Sequence, residues 1–239
     1  MPSNKKACYS IVLPVYNEEK NVWLIAKEYA KINDLCPIEI LFVEDGGSSD
    51  NTRIELQKIA KEYPFVKNVF TSEPGYGISI FNGLKNATSN YIGWTHSDLQ
   101  TDPRDTLKAY RRIAKNSDNK KIFIKGQRYG RPLFDRFFTT GMSIFESFFL
   151  GTMLWDINAQ PNMFHRSFLD MIPNPPHDFS FDLYCYYIAK QNGYEIKKFP
   201  VDFKARIHGE SHWNTGFSAK FKFIKRTLDF SLKMKKMID

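Results

Sequence analysis

Three turns hold the residues best suited to chemistry. Pro14, Val15, Tyr16, Asn17 and Glu18 follow one apolar run, and Glu44, Asp45, Gly46, Gly47, Ser48, Ser49 and Asp50 follow a second. The third turn is Thr95, His96, Ser97, Asp98, Leu99, Gln100, Thr101, Asp102, Pro103. In the first two, Glu18 and Asp45 can accept hydrogen bonds from a base and a ribose, Tyr16 offers a flat face, and Gly46 and Gly47 let backbone come close to a ligand. The competing role is local: Asp45-Gly46-Gly47 as a plain turn, with Ser49 or Asp50 capping the next helix. In the third, Asp98 and Gln100 stand two residues apart and point the same way from an extended turn. That arrangement suits oxygen ligation of a hard divalent ion bridging a diphosphate. Capping of the helix that opens at Pro103 competes for Asp98 and Asp102, and Asp102 is assigned to it.

Such turns need buried strands beneath them. Tyr9 to Val15 and Ile38 to Val43 read as strands, each followed by apolar residues at helical spacing: Val22, Ile25, Tyr29 and Ile32, then Leu56, Ile59 and Tyr63. Val66 to Phe70, Tyr91 to Thr95 and Lys121 to Lys125 read as further strands, with helices over Ile78 to Ala87 and from Pro103 onward. This alternation predicts an α/β fold, a doubly wound and mainly parallel sheet with helices on both faces. After Gly126 the rhythm changes to a Phe-rich segment, Leu133 to Trp155, interrupted by Asp135, Arg136 and Glu146. An irregular stretch from Asp156 to Phe164, a helix over Phe181 to Gln191 and a strand over Glu195 to Phe203 complete a domain of residues 1–214. Residues 215–239 read as a basic amphipathic C-terminal helix, with Phe217, Phe221, Ile224, Leu228 and Leu232 at helical spacing.

The 239 residues carry 34 Lys+Arg against 26 Asp+Glu, a net charge of +8, and much of the excess lies in the last quarter. Cys8, Cys36 and Cys185 lack metal-like spacing and read as buried thiols in a reducing compartment. The polar start, Met1 to Lys6, has no apolar leader, so the expected location is cytoplasmic. No run reaches the ~20 apolar residues needed to cross a bilayer. The Phe-rich segment and the C-terminal helix instead predict an interfacial anchor, peripheral at the inner face of the membrane, against the alternative of a packed terminal helix with a solvated basic side. Nucleic acid is not an expected partner, because the basic residues are not interleaved with stacking aromatics.

Tyr16-Asn17-Glu18, Glu44-Asp45-Gly46, Gly75 through Gly83, Ser97-Asp98-Leu99-Gln100, Gly126-Gln127-Arg128 and Arg206-Ile207-His208-Gly209-Glu210-Ser211 occur in the order found in family-2 glycosyltransferases of the GT-A fold. Over about residues 9–214 the chain resembles their dolichol-phosphate mannose synthase and polyprenyl-phosphate glucosyltransferase branch. The resemblance implies a nucleotide diphosphate sugar held by Pro14, Tyr16, Glu18, Asp45, Gly46, Ser97 and Asp98. It implies Mg²⁺ or Mn²⁺ around Asp98 and Gln100, with His96 as a weak ligand or an orienting group, and donor phosphates met by Arg206. The acceptor in that branch is a polyprenyl (dolichyl or undecaprenyl) phosphate, an anionic nucleophile that needs no protein base, with Arg128, Arg131 and Arg136 available to neutralise charge.

Three positions depart from the branch. His96 stands where Asp is usual, Gln160-Pro161 stands where small residues and glycine are usual, and His212 stands where Lys is usual. The expected activity is inverting transfer to a polyprenyl phosphate at the cytoplasmic membrane face, by a peripheral protein or one recruited by a small membrane-protein partner. One alternative is a transferase acting on a sugar hydroxyl of a glycan or glycolipid, with Asp182 as general base. The other is a non-catalytic nucleotide-sugar binding protein.

Overall fold

The computed structural model describes residues 6–130, 133–204 and 230–232. β1 (Tyr9–Val15) and β2 (Ile38–Glu44) are apolar on both faces, a pattern that only strands covered by helices on both sides can bury. Alternate residues accordingly enter different cores. Ile11, Leu13, Ile40 and Phe42 pack with α1 (Val22–Leu35), α2 (Thr52–Glu62) and α4 (Arg104–Ala114), whereas Val12, Leu41 and Val43 pack with α3 (Tyr76–Asn86) and α6 (Phe181–Gln191). Gly83 lets α3 lie against the sheet, since a Cβ there would come within 2.4 Å of Val12 Cγ1.

The remaining strands are β3 (Val66–Phe70), β4 (Tyr91–Trp94), β5 (Ile122–Tyr129), β6 (Asn162–His165) and β7 (Glu195–Asp202), and the sheet order is β3-β2-β1-β4-β6-β5-β7. All pairings are parallel except those of β6, which runs against β4 and β5. The chain builds outward from β1 to β3 and then returns to add β4 on the other side of β1. That reversal leaves a crevice at the carboxyl ends of β1 and β4.

The second half corrects the expectation in two places. The stretch from Asp156 to Phe164 is not wholly irregular, because its end is β6, followed by a 3₁₀ turn over Arg166–Met171. The Phe-rich segment does not continue to Trp155: α5 (Leu133–Phe149) stops, and Gly151, at φ +62°, starts a turn folded back onto it. Ser147 Oγ holds that turn, donating to Ser143 O at 2.6 Å and accepting from Leu154 N at 2.7 Å. Glu146 lies buried, its Oε2 accepting from Ser231 Oγ at 2.5 Å. Cys185 is buried, but Cys8 and Cys36 are only half-buried. Apart from residues 230–232, the C-terminal helix expected over 215–239 lies outside the described residues, as do Arg131, Arg206 and His212. Among the described residues no helix is long and apolar enough to cross a membrane.

Candidate active site

Strand register brings the first two turns side by side, with Val15 opposite Glu44. Side chains then lock them together. Asn17, at φ +52°, receives Ser49 N on its Oδ1 at 2.8 Å and gives its own N–H to Ser48 Oγ at 3.1 Å. Glu18 N donates to Thr52 Oγ1 at 2.8 Å, Glu19 N to Asp50 Oδ2 at 3.2 Å, and Asn51 N to Glu19 Oε2 at 3.0 Å. Asp50 therefore ties two loops together as well as accepting from Thr52 N at the start of α2. Glu18 Oε2 accepts from Asn21 Nδ2 at 2.5 Å.

Within this frame Tyr16 is 45% exposed, and its ring edge lies where a Cβ on Gly47 would approach to 3.3 Å. Asp45 Oδ1 accepts from Gly47 N at 3.0 Å. Gly46 is at φ +74°, and a Cβ there would meet Thr71 O at 2.6 Å, so both its conformation and its surroundings demand glycine.

The third turn is tethered to the first across the crevice. Thr95 N donates to Val12 O at 3.1 Å, and Ser97 Oγ to Pro14 O at 2.6 Å. Asp98 is 4% exposed and accepts Gln100 N on Oδ1 at 3.0 Å, around Leu99 at φ +56°. Gln100 is pinned to the end of the sheet domain, with Nε2 donating to Lys204 O at 3.1 Å and its carbonyl accepting from Lys204 N at 2.8 Å. Asp102 accepts Arg104 N at 2.9 Å at the start of α4, in line with its capping assignment.

β6 supplies the opposite wall. Because it runs backward, its first residue, Asn162, stands opposite Trp94 and Lys125, and the residues before it lie at the carboxyl edge of the sheet. Here Arg128 does not stand open as a phosphate contact. Its guanidinium grips Asp156 Oδ1 through Nε at 2.9 Å and Nη2 at 2.5 Å, while its N–H donates to Oδ2 at 2.8 Å. Burial pushes the Asp156 carboxyl up, but Arg128 outweighs it and leaves the group below its ordinary value. Asp156 is at φ +53°.

Asp182 belongs to a second buried network. It is 3% exposed and accepts from Tyr76 OH at 2.9 Å, Trp94 Nε1 at 3.1 Å, Asn162 Nδ2 at 3.2 Å and Gln160 Nε2 at 3.4 Å. Its countercharge is Lys125, whose ammonium donates to Ile157 O at 2.5 Å, Ala159 O at 2.8 Å and Asn162 Oδ1 at 3.3 Å. Burial lowers Lys125 to about 8 even though Asp182 and Asp156 pull it up. Asn162 thus bridges the two charges. Sequence alone gives Tyr76, Gln160, Asn162 and Lys125 no site role; Tyr76 falls within Gly75 through Gly83 and Gln160 within the unusual Gln160-Pro161 pair, while Asn162 and Lys125 carry no signal there.

The glycosyl transferase family 2 model matches residues 10–174. The chain belongs to that family. Curated relatives include the bactoprenol glucosyl transferase of Shigella phage SfX and the SfII prophage-derived bactoprenol glucosyl transferase of Shigella flexneri. Each is 33% identical over 101 residues, 41% of this chain and 32% of the relative. The matched region therefore spans about a third of the length of these relatives. Among solved structures, glucosyl-3-phosphoglycerate synthase from Mycobacterium tuberculosis in complex with Mn²⁺, uridine diphosphate and glucosyl-3-phosphoglycerate superposes with a TM-score of 0.65 at 16% identity, over 84% of this chain and 72% of that one. The same synthase with Mn²⁺, UDP-glucose and phosphoglyceric acid gives 0.70 at 14% identity, over 93% and 79%. The fold is GT-A.

For this family-2 chain, the donor set at the third turn limits what metal it can take. Among the described residues no group of three or more His, Cys, Asp or Glu side chains is arranged to hold an ion. Asp98, with the Gln100 amide and the His96 imidazole in the same turn, would fit a hard divalent cation whose shell is completed by oxygens from outside this turn. It does not fit a metal held by protein alone.

Proposed function

We propose that this chain transfers a sugar, with inversion, from a nucleotide diphosphate sugar to a polyprenyl phosphate at the cytoplasmic face of a membrane. The observation that carries this reading is the state of Asp182. A general base must have a lone pair to offer and a path to the substrate proton. The Asp182 carboxylate is buried beneath four donors, each of them a protein group. A phosphate acceptor needs no such base, because its attacking oxygen is already anionic.

In this mechanism Tyr16, Glu18, Asp45 and Gly46 hold the nucleotide, with Pro14 and Ser97 setting the width of the crevice. Asp98, with Gln100 and His96 in the same turn, would hold a divalent cation, Mg²⁺ or Mn²⁺. When bound, such an ion would supply charge neutralisation to a nucleoside diphosphate leaving group. The lipid phosphate oxygen forms a bond to the anomeric carbon as the bond to the diphosphate oxygen breaks on the opposite face, and no proton moves. Arg131, Arg136 and Arg206 supply positive charge to the two anions, while Arg128 orients the wall through Asp156.

The surface beside this wall supports a membrane-bound acceptor. Phe148 is 89% exposed and Met153 77%, and with Ile144, Gly151 and Trp155 they line an open groove of about 430 Å³. Exposed apolar residues gathered in this way mark an interaction surface. The names of the Shigella relatives point to the same acceptor class.

The test is nucleotide release from a panel of nucleotide sugars with Mn²⁺, with and without undecaprenyl phosphate. Release that depends on the lipid phosphate is expected. Asp182→Asn should lower stability but reduce lipid-dependent turnover by less than about tenfold. A loss of about a thousandfold with unchanged melting would point to a hydroxyl acceptor with Asp182 as base. Tight nucleotide binding without any turnover would point to a binding protein.

A further inference from the structure

Gln160 is 1% exposed, and its carboxamide is held in one orientation. Nε2 donates to the Tyr76 hydroxyl and, at 3.4 Å, to Asp182 Oδ1. The single Tyr76 proton goes to Asp182 Oδ2 at 2.9 Å, so the phenol oxygen has only lone pairs left for Gln160. Turning the amide over would set its carbonyl against both the carboxylate and those lone pairs. The network therefore fixes which end of Gln160 faces which way. Its other end, Oε1, is buried and has no hydrogen-bond partner among the described residues. An oriented, buried and unpaired carbonyl is an acceptor prepared for a donor that the described residues do not provide.

The position of Gln160 gives that donor an identity. It precedes β6 by two residues, at the sheet edge where Asn162 faces Trp94, and Trp94 leads directly into the Thr95–Asp98 turn. Tyr76, its partner, lies within electrostatic reach of Asp98. A carbonyl oxygen repels phosphate and carboxylate groups, which carry lone pairs but no proton at neutral pH, and it welcomes a hydroxyl. A nucleotide sugar bears hydroxyls on its ribose and on its sugar; with the ribose at the Glu18 and Asp45 turns beyond β1 and β2, the hydroxyls left for the β6 side are those of the sugar.

We propose that Gln160 is a specificity-determining residue whose Oε1 accepts a hydrogen bond from a hydroxyl of the transferred sugar, with Tyr76 and Asp182 as the positioning residues that aim it. This rests on the reading of the chain as a nucleotide-sugar transferase. Among the described residues no group competes for Oε1, so a hydroxyl that reaches it is distinguished sharply from a sugar lacking it.

The test is calorimetric binding of UDP-glucose, UDP-galactose and GDP-mannose to the full chain with Mn²⁺, each measured against its parent nucleoside diphosphate. For the donor that wild type binds, Gln160→Met is expected to weaken the nucleotide sugar about tenfold while leaving the parent diphosphate within about twofold. Tyr76→Phe keeps three donors on Asp182 and frees the amide to turn, and is expected to weaken the nucleotide sugar about threefold with the parent diphosphate unchanged. If Gln160→Met does not fold, Tyr76→Phe decides alone. Unchanged nucleotide-sugar affinity, or equal weakening of sugar and parent diphosphate, would overturn the assignment of Gln160 and leave the transferase reading intact. Wild type that binds none of the nucleotide sugars would overturn both.

Discussion

The Ser97 hydroxyl donates to the Pro14 carbonyl at 2.6 Å, spanning the crevice where the sheet reverses its direction of growth. One bond thus couples the turn that carries Asp98 to the turn that carries Tyr16 and Glu18. Ser97→Ala removes it and leaves the Pro14 carbonyl to be satisfied by solvent. The expected cost is about 1 kcal/mol of stability, together with a weaker response of melting temperature to nucleoside diphosphate plus Mn²⁺. A variant that melts lower yet shows the full ligand-induced shift would separate the bond from the site.

Arg128 and Asp156 form an ion pair whose side chains are each 9% exposed. Arg128→Met leaves a buried carboxylate without its cation and should cost about 3–5 kcal/mol in denaturant titration. The pair also predicts a pH dependence. Because the folded carboxyl sits below its unfolded value, its contribution is present above about pH 4 and is lost as pH falls further. Asp156→Asn should flatten that acid limb.

Lys125 gives the opposite limb. Its folded value of about 8 lies below the ordinary 10.5, so between those pH values the unfolded chain holds a proton that the folded chain has released. Wild-type stability should therefore rise relative to Lys125→Met from pH 8 toward 10.5, by an amount on the order of 3 kcal/mol. Denaturant titrations of both proteins across that range check the sign. A difference that stays constant or falls would contradict it.

The exposed groove yields a prediction about lipid. Phe148→Ser combined with Met153→Ser should weaken sedimentation with anionic vesicles by at least about tenfold, given the transfer free energy of two such side chains. Turnover on a water-soluble short-chain acceptor should be preserved.

The first half of the fold was legible because its strands are bounded by turns and its helices keep a clear apolar period. Tyr9–Val15, Val66–Phe70 and Phe181–Gln191 lie where the pattern puts them. β6 was not legible: four residues, Asn-Met-Phe-His, make too short a run to announce a strand, and its antiparallel insertion depends on partners more than thirty residues away. The site divides in the same way. Turn residues such as Gly46, Asp45 and Ser97 carry their chemistry in their local order. The Asp182 network joins residues from five separate elements and stretches, so neither its saturation nor the orientation of Gln160 has any signature in the local sequence. The hold of two Arg128 guanidinium nitrogens on Asp156 was hidden for the same reason, since an arginine near the end of a strand reads as an open cation until its partner is placed.

Among the described residues one strand of the sheet is reversed, and it is the strand that brings Asp156 through Pro161 to the cleft. In the proposed function the parallel strands offer their exits to the nucleotide, while β6 offers its entrance to whatever sits beyond. The two halves of the cleft are therefore built from independent stretches of chain. Under the proposed function, a lineage can exchange the handful of residues ahead of Asn162, and so change which sugar it moves, without disturbing the grip on the nucleotide.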